Sequence, residues 1–155
     1  MAPKPKVLFV LTSHDQMGNT GKPTGWYLVR LLVSPHTTQS CKLTTYSPQP
    51  EFAHPYEILA DHCEISIASP KGGASPLDPS SVDASKDDKT SVNFLNKHKT
   101  LWENTKKLDS FLGHASEYEA IFFVGGHGRM YLKKPNSLKA NARYQLEAKI
   151  YIYEG

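Results

Sequence analysis

The residues best suited to chemistry lie in Ile121-Phe122-Phe123-Val124-Gly125-Gly126-His127-Gly128. An apolar, largely β-favouring run passes straight into a glycine-rich turn that carries one histidine. A buried parallel strand ends this way at the rim of a site, where backbone N–H groups are laid bare and an imidazole is held beside them. Glycines 125, 126 and 128 can adopt backbone angles closed to other residues and bring those N–H groups close to a ligand. Gly125 and Gly126 are therefore expected on the oxyanion side of a site. His127 either contacts substrate or braces the loop.

The other reactive side chains form no obvious centre. Cys63 begins a strand with no histidine-glycine turn beside it and reads as an inert core thiol. Cys41 has no partner, and two cysteines do not make a disulfide framework. His14, His36, His54, His62, His98 and His114 lack metal-ligand spacing, so neither metal nor cofactor is expected. Trp26 and Trp102 read as core or interface anchors.

Such groups need a framework. Lys6-Val7-Leu8-Phe9-Val10-Leu11-Thr12 predicts a buried first strand over 6–12. Residues 13–24 are polar and form a loop at its carboxyl end. Gly25-Trp26-Tyr27-Leu28 opens something helical, and residues 51–59 read as the same helix resumed. The alternation over 63–68 predicts a second strand. The stretch 69–81 is rich in Pro, Gly and Ser and predicts a loop. Short helices are expected over 90–96 and 101–112, then a third strand over 120–124. This β-α-β-α-β order predicts an α/β fold with a parallel sheet and flanking helices.

Two stretches do not fit. Residues 29–49 hold β-branched residues, prolines and no helical period. Val29-Arg30 can be encoded as a splice-donor-like start, Leu43-Thr44 as a branch-like site, and Pro48-Gln49 can end in CAG. An in-frame retained intron, a foreign insertion, is expected there. After Gly128 the chain becomes basic and poor in apolar residues, so 129–155 reads as a tail foreign to the domain that occupies 1–128.

The 155 residues form one domain or part of one, with 39% hydrophobic residues and a net charge of +3. Mean hydropathy is −0.47 and the pI is about 8.8. The basic excess is a solvated end and no nucleic-acid module accompanies it. No signal peptide precedes the first strand, and no apolar run spans a bilayer. A cytoplasmic setting is expected, with the nucleus also open to the chain.

Lys6 to His14, Thr24-Gly25-Trp26-Tyr27-Leu28, Pro50-Glu51-Phe52-Ala53-His54-Pro55-Tyr56, Ile67-Ala68-Ser69-Pro70-Lys71-Gly72-Gly73, Pro76-Leu77-Asp78-Pro79-Ser80-Ser81, Leu101-Trp102-Glu103-Asn104-Thr105 and Phe122-Phe123-Val124-Gly125-Gly126-His127-Gly128 together resemble the amino-terminal half of a PfpI-type protein. The glyoxalase III-like branch, or D-lactate dehydratase, is the nearest in pattern. The resemblance covers 1–28 and 50–128. It implies a flavodoxin-like, class I glutamine amidotransferase-like fold, here truncated after the third strand. It also implies cofactor-free conversion of methylglyoxal to D-lactate, in the setting of stress response and detoxification.

The family nucleophile is a cysteine in a motif like Ala-Val-Cys-His-Gly, which this sequence lacks. By the same resemblance Glu51 is the first-helix acid that shuttles protons beside the cysteine. Its partners would be a small 2-oxoaldehyde and, as one allowed assembly, a second copy in a homodimer. Without a nucleophile the chain is expected to be inactive. A client-holding, chaperone-like module and a hydrolase or amidase relative are the competing functions.

Overall fold

A computed structural model of the chain describes residues 3–34 and 45–126, with 29–34 and 45–50 described as backbone only. Four parallel strands form the body: β1 (Lys6–Val10), β4 (Glu64–Ser69), β5 (Lys106–Lys107) and β6 (Ala120–Phe123), in the order β5-β4-β1-β6. β1 runs beside β4 with Lys6 opposite Glu64 and Val10 opposite Ala68. On its other side Val7 faces Ala120 and Val10 faces Phe123. The chain thus builds outward from β1 in one direction, then crosses back to add β6 in the other.

The continuous apolar run of β1 follows from this central place, because both its faces are covered. Val7, Phe9 and Leu11 point into one core with Trp26, Leu28, Phe52, Ile67, Phe94 and Trp102. Leu8 and Val10 point into the other with Ala68, Leu108, Phe111, Ile121 and Phe123. The first core is aromatic. Trp26 meets Phe52 edge-on at 5.1 Å, and Phe94 stacks on Trp102 at 5.6 Å.

The helices α1 (Ala53–Ala60), α2 (Pro79–Ala84), α3 (Lys89–Lys97) and α4 (Thr100–Glu103) start where local chemistry lets them. Asp78 caps α2 by accepting from the amides of Ser80 and Ser81, with Pro79 in the first turn. Asp88 caps α3 through the amides of Thr90 and Ser91. It also meets His54 Nε2 of α1 at 2.7 Å, so one carboxylate starts a helix and ties it to its neighbour. Burial opposes the charge on Asp88, but the bonds from Ser91 and His54, with the His54 charge, outweigh it and hold its pKa below the usual value.

Several expectations need correction. Gly25 to Leu28 is not helical: Trp26 makes a parallel bridge to Leu77, and the chain bends at Leu28. The sheet has four strands among the described residues, not three, because Lys106–Lys107 pairs with the end of β4. The helix expected over 101–112 stops at Glu103. Asn104 and Thr105 leave it so that Thr105 can exchange backbone hydrogen bonds with Gly73, and a single 3-10 turn, Leu108–Phe111, follows β5. The loop expected over 69–81 already contains the start of α2.

Within the stretch expected to be foreign, β2 (Val29–Ser34) and β3 (Thr45–Pro50) pair antiparallel in a separate two-stranded ribbon. The chain leaves the body at Leu28 and re-enters at Glu51, whose N–H donates to the Leu28 carbonyl at 3.3 Å. Residues 35–44, with Cys41, and 127–155, with His127, Gly128 and the basic tail, lie outside the described residues.

Candidate functional site

In an open parallel sheet the strand order reverses at one point, and the carboxyl ends of the two strands there leave a crevice. Here that point lies between β1 and β6. Pairing runs one residue past both strands, through Leu11 N–H to the Ala68 carbonyl and Val124 N–H to the Val10 carbonyl. Beyond it the glycine turn begins, and Glu51 meets it there.

Glu51 stands just before α1 rather than on it, since Phe52 is the N-cap. It does not share a helix face with His54. Its side chain is 5% exposed, and Oε2 accepts from the Gly125 N–H at 2.8 Å. The Gly125 carbonyl in turn accepts from Tyr27 N–H at 3.0 Å. A closed ring results: Tyr27 to Gly125, Gly125 to Glu51, and Glu51 back to Leu28.

The ring requires glycine. A Cβ on Gly125 would lie 2.0 Å from Glu51 Oε2. Gly126, at φ +141°, would place one 2.3 Å from the Gly25 carbonyl oxygen, and Gly25 would place one 2.0 Å from that of Pro76. Three backbones therefore lie against one another with nothing between them. Gly25 is the residue that sequence reasoning passed over. The signal that could have found it was its place before a large aromatic in a stretch with no helical period.

Of the expected site residues, Glu51, Gly125 and Gly126 come together. The Gly125 N–H points to the Glu51 carboxylate. His127 is outside the described residues. Cys63 is half-buried at the amino end of β4, where its N–H donates to the Leu59 carbonyl at 2.8 Å. The glycine turn is at the carboxyl end, so strand rise alone separates the two by roughly 20 Å. His14 lies beyond the carboxyl end of β1, half-buried, with its N–H on Thr12 Oγ1 at 3.1 Å. Among the described residues no group of three His, Cys, Asp or Glu could hold a metal ion. No described helix is long and apolar enough to cross a membrane.

No protein-family model and no curated protein matches the chain. Solved structures do. The Rapid Encystment Protein of 24 kDa from Francisella tularensis matches 96% of this chain at 30% identity with a TM-score of 0.66. Glyoxalase III from Candida albicans matches 96% at 24% identity with a TM-score of 0.60. The chain spans 57% and 56% of the lengths of those two proteins. The shared part holds the parallel sheet, its flanking helices and the crevice beside β1. These likenesses show the fold: an α/β parallel sheet with flanking helices of the flavodoxin-like kind.

Proposed function

We propose that this chain carries the carboxylate side of a glyoxalase III-type site, with Glu51 as the group that moves a proton between adjacent carbons of a 2-oxoaldehyde such as methylglyoxal. The observation that carries this reading is the Glu51 carboxylate, 5% exposed, at the strand-order reversal with Gly125 N–H on Oε2. A carboxylate so placed is fixed in orientation and shielded from water, as proton transfer within a bound substrate requires.

The complete reaction adds a thiol to the aldehyde carbon, transfers the proton from that carbon to its neighbour, and hydrolyses the resulting thioester to D-lactate. Cys63, at the far end of β4, is not assigned the thiol's part, and neither is Cys41. The chain as given is therefore expected to bind product but to form none. The client-holding alternative has less support. Among the described residues the large, exposed apolar side chains are three, Ile58 on α1, Val92 on α3 and Leu112 just past the Leu108–Phe111 turn.

The test titrates the full chain with D-lactate while the Gly125 and Gly126 amides are followed by NMR, beside a D-lactate assay with methylglyoxal. The expected result is movement of both amides, its loss in Glu51→Ala, and product at the background rate. Amides that stay still, or product formed above the background rate, would overturn the reading.

A further inference from the structure

Glu51 is held in part by its neighbours. Its backbone hangs from Leu28 and its carboxylate from Gly125, which is itself bonded to Tyr27. The first attachment, and the Tyr27 bond to Gly125, run through the strip from Thr24 to Leu28, which belongs to no regular strand, while Gly125 also follows Val124, paired with Val10. The strip's order must come from elsewhere, and the hydrogen bonds lead to Asp78.

Asp78 is 2% exposed and Thr24 is 1% exposed. Thr24 Oγ1 donates to Asp78 Oδ2 at 2.8 Å, while Oδ1 accepts from the amide of Ser80 at 2.9 Å. The Asp78 N–H donates to the Trp26 carbonyl at 3.0 Å, and Trp26 N–H donates to the Pro76 carbonyl at 2.9 Å. Further along, Leu28 N–H donates to Ser81 Oγ at 3.2 Å, and that hydroxyl donates to the Asp78 carbonyl at 2.8 Å. One residue thus starts α2 and holds one end of the strip by its carboxylate and the middle by its backbone N–H. The other end is held one step removed.

We propose that the buried Asp78–Thr24 hydrogen bond is a positioning latch that sets the Glu51 carboxylate on the Gly125 N–H. Asp78 and Thr24 touch no reacting atom and act only through the strip. The α2 cap alone does not require this bond, because Oδ1 serves the helix and Oδ2 serves Thr24. A hydrogen bond buried from water also adds a hold at the Thr24 end of a segment whose own pairing is the single Trp26–Leu77 bridge. The proposal rests on Glu51 being the carboxylate of the site.

The test is hydrogen exchange at the Gly125 amide in the full chain, read against the Leu11 amide, which belongs to the β1–β4 ladder. Thr24→Val removes the hydroxyl and keeps the shape. Thr24→Ser restores the hydroxyl. The expected result is a roughly tenfold loss of Gly125 protection relative to Leu11 in Thr24→Val, with recovery in Thr24→Ser. Leu108→Ala, in the opposite core, serves as a control for general destabilisation and should leave the ratio unchanged. Asp78→Asn, which retains a side chain able to cap α2, should shift the ratio in the same direction as Thr24→Val. A Gly125-to-Leu11 ratio that stays at the wild-type value in Thr24→Val, or fails to recover in Thr24→Ser, would overturn the latch. If the D-lactate response of Gly125 persists in the same samples, the latch alone has failed. If that response is absent even in the wild-type chain, the reading of the site has failed.

Discussion

Replacing Gly125 with alanine sets one methyl group against one carboxylate. The new Cβ would fall 2.0 Å from Glu51 Oε2, 2.7 Å from Cδ and 2.8 Å from Oε1. Favourable contacts between heavy atoms begin at about 3.5 Å, so the carboxylate must withdraw by roughly an ångström or more. A surface glutamate would swing away at little cost, but Glu51 is 5% exposed and packed on all sides. Forced overpacking costs about 1–3 kcal/mol. Drawing a buried carboxylate off its donor adds roughly 1–3 kcal/mol. Together these give a loss of about 2–6 kcal/mol, which for a chain of this length lowers Tm by on the order of 10 °C. The assay is a double-mutant cycle by urea unfolding, with Glu51→Ala as the second change. If the clash is with the carboxylate, Gly125→Ala costs about 1 kcal/mol or less once Glu51 is shortened, and the coupling is large. Equal losses in the two backgrounds would refute the reasoning, because the strain would then lie in the backbone of the turn.

Gly126→Ala should be more damaging than Gly125→Ala, since its Cβ meets the Gly25 carbonyl oxygen at 2.3 Å and its φ is +141°, and neither can swing aside. Glu51→Ala should not rescue it; a urea midpoint close to wild type would contradict this. Asp88→Ala should lose about 1 kcal/mol or more with the α3 cap, measured in the same way. Because the folded-state pKa of Asp88 is lowered, its contribution is present above the ordinary carboxylate value and lost as pH falls through the lowered one. The urea midpoint of wild type should therefore exceed that of Asp88→Asn near neutral pH and converge on it as pH falls through the lowered pKa of Asp88. A gap that holds constant across that range would count against the titration.

Three strands were legible in the sequence. β1 and β6 announce themselves as apolar runs, β1 because Val7 to Val10 are all buried and β6 because Ile121 and Phe123 are, while β4 shows itself by alternation. β5 could not announce itself, being two exposed lysines defined by register with Ala68 and Ser69. The strip from Gly25 misled for a related reason. Its conformation is set by Pro76, Asp78 and Gly125, each at least fifty positions away, and no local period can reveal that. The start of α2 was readable and was missed: Asp78-Pro79 is a cap followed by a helix-initiating proline, but the preceding run of Pro, Gly and Ser drew it into the loop. In the site, the motif pointed to Glu51 and the glycine turn, but not to the bond that joins them. That bond crosses 74 positions and depends on the missing Cβ of Gly125.

The exit at Leu28 and the return at Glu51 make a seam in the molecule. The two lips of that seam are tied to each other by the Glu51 N–H on the Leu28 carbonyl, and β2 lies against α2 on the way out. The lip on the returning side is Glu51 itself. Any graft or excision made there would be felt first at the carboxylate, before the sheet could sense it. An alteration of length at that lip would thus speak directly to the crevice.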